Sequence, residues 1–199
     1  MTVMTSFCMS LDGFVARPDD SVGPLFDWHT NGDVPVRPPG YRLGFRMSAA
    51  SARYWEELIA TMRDGAMVCG RRIFDHTKGW GGVAPLGVPA FVVTHRPPPQ
   101  DWPPTPEARF TFVHDGVESA VAQAKAAGDG TVSVAGPNIA QQCLNAQLLD
   151  EVRIDLVPVL LGNGIRYFEK MDTDIAEFDR VEVVEGTGVT HLRYRVCYR

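Results

Sequence analysis

The chain has no CxxC pair, no long apolar run, no block of like charge and no internal repeat. Its four cysteines, Cys8, Cys69, Cys143 and Cys197, lie far apart, each in an apolar segment. That spacing supplies no zinc site and no disulfide framework. It predicts small buried hydrophobes in a reducing compartment, with no metal. No apolar run is long enough to cross a bilayer. A formal charge of −5 from 19 basic and 24 acidic residues argues against a nucleic-acid partner, which would require a basic face. The opening MTVMTSFCMSLDG has no basic region, apolar core and cleavage site in succession. It reads as a first strand, and the cytoplasm is the expected location.

What is present fits one soluble domain spanning 1–199. The most informative stretch is Thr131 to Phe168. Val132 and Val134 alternate as a strand, which breaks at Gly136-Pro137-Asn138. A helical segment follows with Ile139, Cys143 and Leu144 on one face. From Asp150 a second strand alternates Val152, Ile154 and Leu156 with Glu151, Arg153 and Asp155. A strand that ends in a glycine turn and opens a helix aims backbone N–H groups at whatever lies above it. Such a turn is a place for a phosphate.

Elsewhere, residues 3–9 predict a strand ending at Asp12-Gly13. The Pro-, Gly- and Asp-rich stretch from Arg17 to Gly40 predicts a long loop, whose aromatic residues pack over something. Ser48 to Arg63 predicts a helix burying Trp55, Leu58, Ile59 and Met62. Short buried strands are expected at 67–69, 89–94 and 110–114, and a helix at 117–127 with Val117, Ala120, Val121 and Ala124 inward. Two strands around Gly186-Thr187-Gly188 predict a terminal hairpin. This order predicts an α/β domain with a mostly parallel sheet and an antiparallel C-terminal end.

Several strand-to-turn junctions carry a resemblance. They are Ser10-Leu11-Asp12-Gly13, Val68-Cys69-Gly70-Arg71, Val92 to Arg96, and Val134 to Asn138, together with LLDEVRIDLVPVLLGNGIRYF. In this order they resemble the dihydrofolate reductase-like superfamily, in particular the reductase domain of bifunctional riboflavin-biosynthesis deaminase-reductases and its stand-alone bacterial relatives. The resemblance implies a three-layer α/β/α fold, NADPH as cofactor, a small-molecule substrate and a homodimer. No HxE or PCxxC deaminase signature is present.

The resemblance places Gly70, Arg71 and Arg72 at the cofactor, with Thr94, His95 and Arg96 at the adenosine 2′-phosphate. Gly136, Pro137, Asn138 and Ile139 fall under the pyrophosphate. Where the family commonly has a second glycine this chain has Pro137. A cis bond is far less costly before proline than elsewhere, so Gly136–Pro137 is expected to be cis. The family's catalytic carboxylate on the first helix falls near Tyr54, not on an acid, so folate is not expected as substrate. Asp12 is the candidate catalytic group. Asp27, Trp28 and Tyr54 are candidates for the substrate side, Trp28 by stacking on a flat heterocycle. Arg17, Arg37, Arg42 and Arg46 are candidate cations for a substrate phosphate. His29, His76, His114 and His191 show no ligand or triad spacing and are expected to do nothing chemical. Leu160 to Gly164 is read as a structural connection. Two functional classes stay open: an NADPH-dependent reductase, and a nucleotide- or flat-ligand-binding module without turnover.

Overall fold

The computed structural model describes residues 1–39, 44–171 and 176–199. The chain opens with β1 (Val3–Ser10) and β2 (Phe14–Ala16), then a 3-10 segment at Gly23–Thr30. A small hairpin of β3 (Val34–Val36) and β4 (Phe45–Met47) precedes α1 (Ala49–Met62). Next come β5 (Ala66–Gly70), α2 (Arg71–His76), β6 (Ala90–Val93) and β7 (Phe110–Val113). They lead to α3 (Val117–Ala126), β8 (Val132–Ala135), α4 (Pro137–Asn145) and β9 (Glu151–Val157). Last are β10 (Ile165–Arg166), β11 (Ala176–Gly186) and β12 (Val189–Tyr198).

Eight strands form one sheet in the order β11-β12-β9-β1-β8-β5-β6-β7. Every pairing from β9 to β7 is parallel, whereas β12 runs antiparallel to β9 and β11 antiparallel to β12. Side-chain alternation divides the core into two layers. Val3, Val68, Val132 and Ile154 point toward α3 and α4. Cys8 and Val157 point the other way, into a layer with Leu25, Trp28 and Ala52, and Met67 and Cys69 join Phe74 of α2 on that same side. The fold is therefore α/β/α with an antiparallel C-terminal hairpin, as expected.

Local chemistry accounts for the element ends. Ser48 caps α1 by accepting from the Ser51 amide at 3.3 Å. The predicted inward face of α3 is buried at all four positions. The Arg17-to-Pro39 part of the expected loop holds the 3-10 segment and β3, and its Trp28 is 2% exposed.

Three expectations need correction. Gly136–Pro137 is not cis; the cis bond among the described residues is Trp102–Pro103. Gly136 turns the chain by its own φ of +104° instead, and Pro137 stands at the first helical position, where a missing N–H costs nothing. The buried face of α1 includes Tyr54 and Ser51, while Trp55 and Met62 are only half-buried. Cys197 is also half-buried, its thiol donating to Asp179 at 3.2 Å.

Candidate functional site

Parallel strands deliver their C-terminal ends to one edge of a sheet, and ligands of open α/β sheets bind at that edge. Here it gathers Gly70 from β5, Thr94 after β6, Gly136 after β8 and Ser10-Leu11-Asp12 after β1. The glycines at the ends of β5 and β8 face each other. A Cβ on Gly136 would lie 3.8 Å from the Gly70 amide nitrogen. Ile139 is 4% exposed and packs toward Gly70, so its side chain belongs to the core. No side chain among the described residues caps the start of α4. Its first hydrogen bond within the helix is Ala140 N to Gly136 O, which leaves the Asn138 and Ile139 amides without an acceptor inside the helix. The Asn138 side chain accepts from Gln142 Nε2 at 2.7 Å.

Beside this turn, Asp75 holds two arginines. Arg71 Nε lies 2.7 Å from one of its oxygens and Arg96 Nη2 2.8 Å from the other. Arg71 also donates to the Pro97 carbonyl at 2.7 Å and lies across the rings of Phe74 and Phe112. Thr94 is buried and its hydroxyl accepts from the Arg96 amide at 3.0 Å, which shapes the turn. His95 is exposed on the same turn. The structure thus brings Gly70, Arg71, Thr94, His95, Arg96 and Gly136–Ile139 to one edge. Arg72, also on α2, is exposed and pairs with Asp20 at 2.9 Å.

Asp12 is occupied. Its carboxylate accepts from Ser10 Oγ at 2.6 Å, Leu161 N at 3.1 Å and Gly162 N at 2.7 Å. The Ser10 hydroxyl, with help from those amides, holds its carboxyl below the usual range. An anion so stabilised suits fastening the Leu160–Gly164 connection better than giving up a proton at neutral pH.

The expected substrate-side residues divide. Asp27 is exposed at the surface. Trp28 and Tyr54 are buried in an aromatic cluster beneath α1. Trp28 packs on His29 (4.1 Å between centroids), Trp55 (5.8 Å) and His191 (5.1 Å). Tyr54 stacks on His191 at 4.4 Å with an interplanar angle of 20°. Burial pushes the Tyr54 hydroxyl up and the His29 imidazole down to about 4. Of the loop arginines, Arg46 donates to the Asp33 carbonyl at 3.0 Å, Arg17 and Arg37 are exposed, and Arg42 lies outside the described residues.

Sequence reasoning missed the floor of this cluster. The charged side of β9 is not solvent-facing: Glu151, Arg153 and Asp155 are 8%, 4% and 3% exposed. Glu151 binds Arg153 at 2.5 Å and Arg193 at 2.7 Å. Asp155 Oδ1 lies 2.6 Å from His191 Nδ1, and Ser51 Oγ lies 2.9 Å from His191 Nε2. His191, expected to be chemically idle, is the middle of that chain. Strand pairing places Asp155 beside both Cys8 and His191, and separations of 36 and 140 residues hide the group from any motif.

Comparison with known proteins agrees with this fold. The chain is 23% identical over 168 residues to the uncharacterized protein YwjB of Bacillus subtilis, covering 83% of this chain and 82% of that one. A putative riboflavin biosynthesis protein from Shewanella sp. PV-4 superposes with a TM-score of 0.73 at 21% identity, over 99% of both chains. Dihydrofolate reductase from Enterococcus faecalis, solved with NADP(H), superposes with a TM-score of 0.61 at 14% identity, over 98% of this chain and 96% of that one. At these identities the two structures establish a shared fold. The family model described as the RibD C-terminal domain matches residues 1–188, and the chain belongs to that family.

Proposed function

We propose that the protein is an NADPH-dependent reductase of a small heterocyclic or carbonyl compound, with 5-amino-6-(5-phosphoribosylamino)uracil the first acceptor to try. The observation that carries this reading is the pairing of two glycine-ended strands, β5 and β8, with an uncapped helix start and an arginine pair at one sheet edge. Backbone amides of Asn138 and Ile139 suit a pyrophosphate. Arg71 and Arg96 outnumber the single Asp75 between them, which favours a cofactor carrying an extra phosphate. When bound, NADPH supplies a hydride. The protein's part is to orient the acceptor, exclude water and supply a proton.

The test is calorimetry with NADPH and NADH in low-salt buffer. NADPH is expected to bind the more tightly, and Arg96→Ala to reduce that preference by about tenfold, the loss of one charge-assisted contact. Absence of heat with NADPH would sink the reading. The engagement of Asp12 gives weight to a second one, a flat-ligand-binding module without turnover. It predicts cofactor binding with no oxidation by any acceptor.

A homodimer also belongs to the proposal. β11 is an eleven-residue edge strand bearing Phe178, Val181 and Val183, each more than 40% exposed, and a second copy is what would cover it. No helix among the described residues is long and apolar enough to cross a membrane. The four unpaired thiols fit a reducing, cytoplasmic setting.

A further inference from the structure

Reduction of a C=N or C=O bond needs a proton as well as a hydride. Asp12 is committed to a loop, and Tyr54 holds its proton tightly because it is buried. Beneath Tyr54 lies a directed hydrogen-bond chain. Ser48 Oγ donates to Ser51 Oγ at 3.1 Å, and Ser51 Oγ lies 2.9 Å from His191 Nε2. The tautomer that satisfies both contacts has His191 Nδ1–H donating to Asp155 and Nε2 accepting from Ser51. Asp155, His191 and Ser51 are 3%, 0% and 1% exposed, while Ser48 is half-buried and touches the exposed Thr187 amide at 3.4 Å. The chain therefore runs without a break from the surface turn to a carboxylate inside the fold.

Two further observations point to a ligand above that carboxylate. His29 Nε2 and Trp55 Nε1 are buried polar atoms without hydrogen-bond partners among the described residues. Buried polar groups are normally satisfied, and these two rings pack 5.1 Å apart beside Asp155 and His191, which favours a polar partner for them at that place. Asp155 also lies on β9 only two residues before Val157, at the strand end that meets the cofactor edge, and pairs with Cys8 of β1 in the same row.

We propose that Asp155 and His191 share the proton that accompanies hydride transfer, and that Ser51 and Ser48 resupply it from solvent. The proposal rests on the reductase reading. In the balanced step the acceptor carbon gains hydride from the reduced nicotinamide, and its C=N or C=O π bond breaks. The heteroatom takes, through Asp155, the proton held at His191 Nδ1, while His191 Nε2 takes one from Ser51 in the same event. Ser51 is refilled from Ser48 and Ser48 from solvent, and oxidised cofactor leaves. The same three side chains have the connectivity of a hydrolase triad, but Ser51 cannot serve as a nucleophile here. A Cβ on Gly186 would collide with Ser51 Oγ, so the hairpin turn closes over that oxygen and no acyl group reaches it.

The test uses the whole protein labelled with 15N-histidine. Solvent exchange of the His191 ring N–H is measured in wild type, Ser48→Ala and Ser51→Ala, all without ligand. Both variants should slow exchange about tenfold, and Asp155→Asn should abolish the low-field ring proton. In parallel, NADPH oxidation with 5-amino-6-(5-phosphoribosylamino)uracil should fall about a hundredfold in kcat for Asp155→Asn, with an unchanged Kd for NADPH. Ser51→Ala should raise the solvent deuterium isotope effect. Normal NADPH binding with exchange and kcat untouched by both serine substitutions overturns the relay alone. Loss of NADPH binding in the wild type overturns the reductase reading, and with it the use assigned to the relay, whatever the exchange rates show.

Discussion

His29 shows how burial converts a single side chain into a pH response. Its folded-state value of about 4 lies below the ordinary 6.5, chiefly through desolvation; the neighbouring Asp155 opposes the shift and His191 adds to it. Between those values the unfolded chain holds a proton that the folded chain refuses. The stability this contributes is complete above pH 6.5 and is lost as pH falls toward 4, on the order of 3 kcal/mol. Urea denaturation at pH 7 and pH 4.5 should show a drop of that order, and His29→Phe should flatten it. An unchanged slope in the variant would show that another group titrates. At Asp12 the expectation is local. Asp12→Asn should speed amide exchange at Leu161 and Gly162, which lose an ionic acceptor, while exchange in the central strands stays as before.

The element most exposed to a single change is β9. Glu151 accepts from both Arg153 and Arg193 in a nearly closed environment. Glu151→Ala strands the Arg153 charge inside the fold and should cost about 3–5 kcal/mol, read from the urea midpoint. A second element-scale test is Gly136. Its φ of +104° is unfavourable for any side chain, and Gly136→Ala should weaken NADPH binding and stability together. These two elements also show what sequence can and cannot disclose. The strand-turn-helix of Val132 to Leu144 was legible because period-two and period-3.6 patterns meet at a glycine. The alternation in β9 was equally legible, yet it left open where its charged side faces. Periodicity tells which residues share a side of a strand, and only the packing of α1 tells whether that side is dry. The cluster of Trp28, Tyr54, Asp155 and His191 draws on four separate elements, so no local spacing could assemble it.

For the whole molecule, ligand linkage offers a direct measurement. NADPH at a hundredfold excess over Kd should add about 2.7 kcal/mol, and for a chain of this length raise Tm by roughly 5–10 °C. NADH at equal concentration should do less. Replacing Phe178 and Val183 with Asp on β11 should convert the proposed dimer to monomer in light scattering without loss of NADPH binding, since that edge lies at the far side of the sheet from β5 and β6.

The two sides of β9 are chemically opposite, with Val152, Ile154 and Leu156 against one layer and Glu151, Arg153 and Asp155 against the other. A strand so differentiated tolerates substitution more readily than slippage. Deleting one residue after Leu149 would swap every side chain between layers, driving three charges into aliphatic packing and uncoupling Asp155 from His191 in one stroke. Descendants of this chain are therefore free to vary the letters of that segment within each class, but not its length.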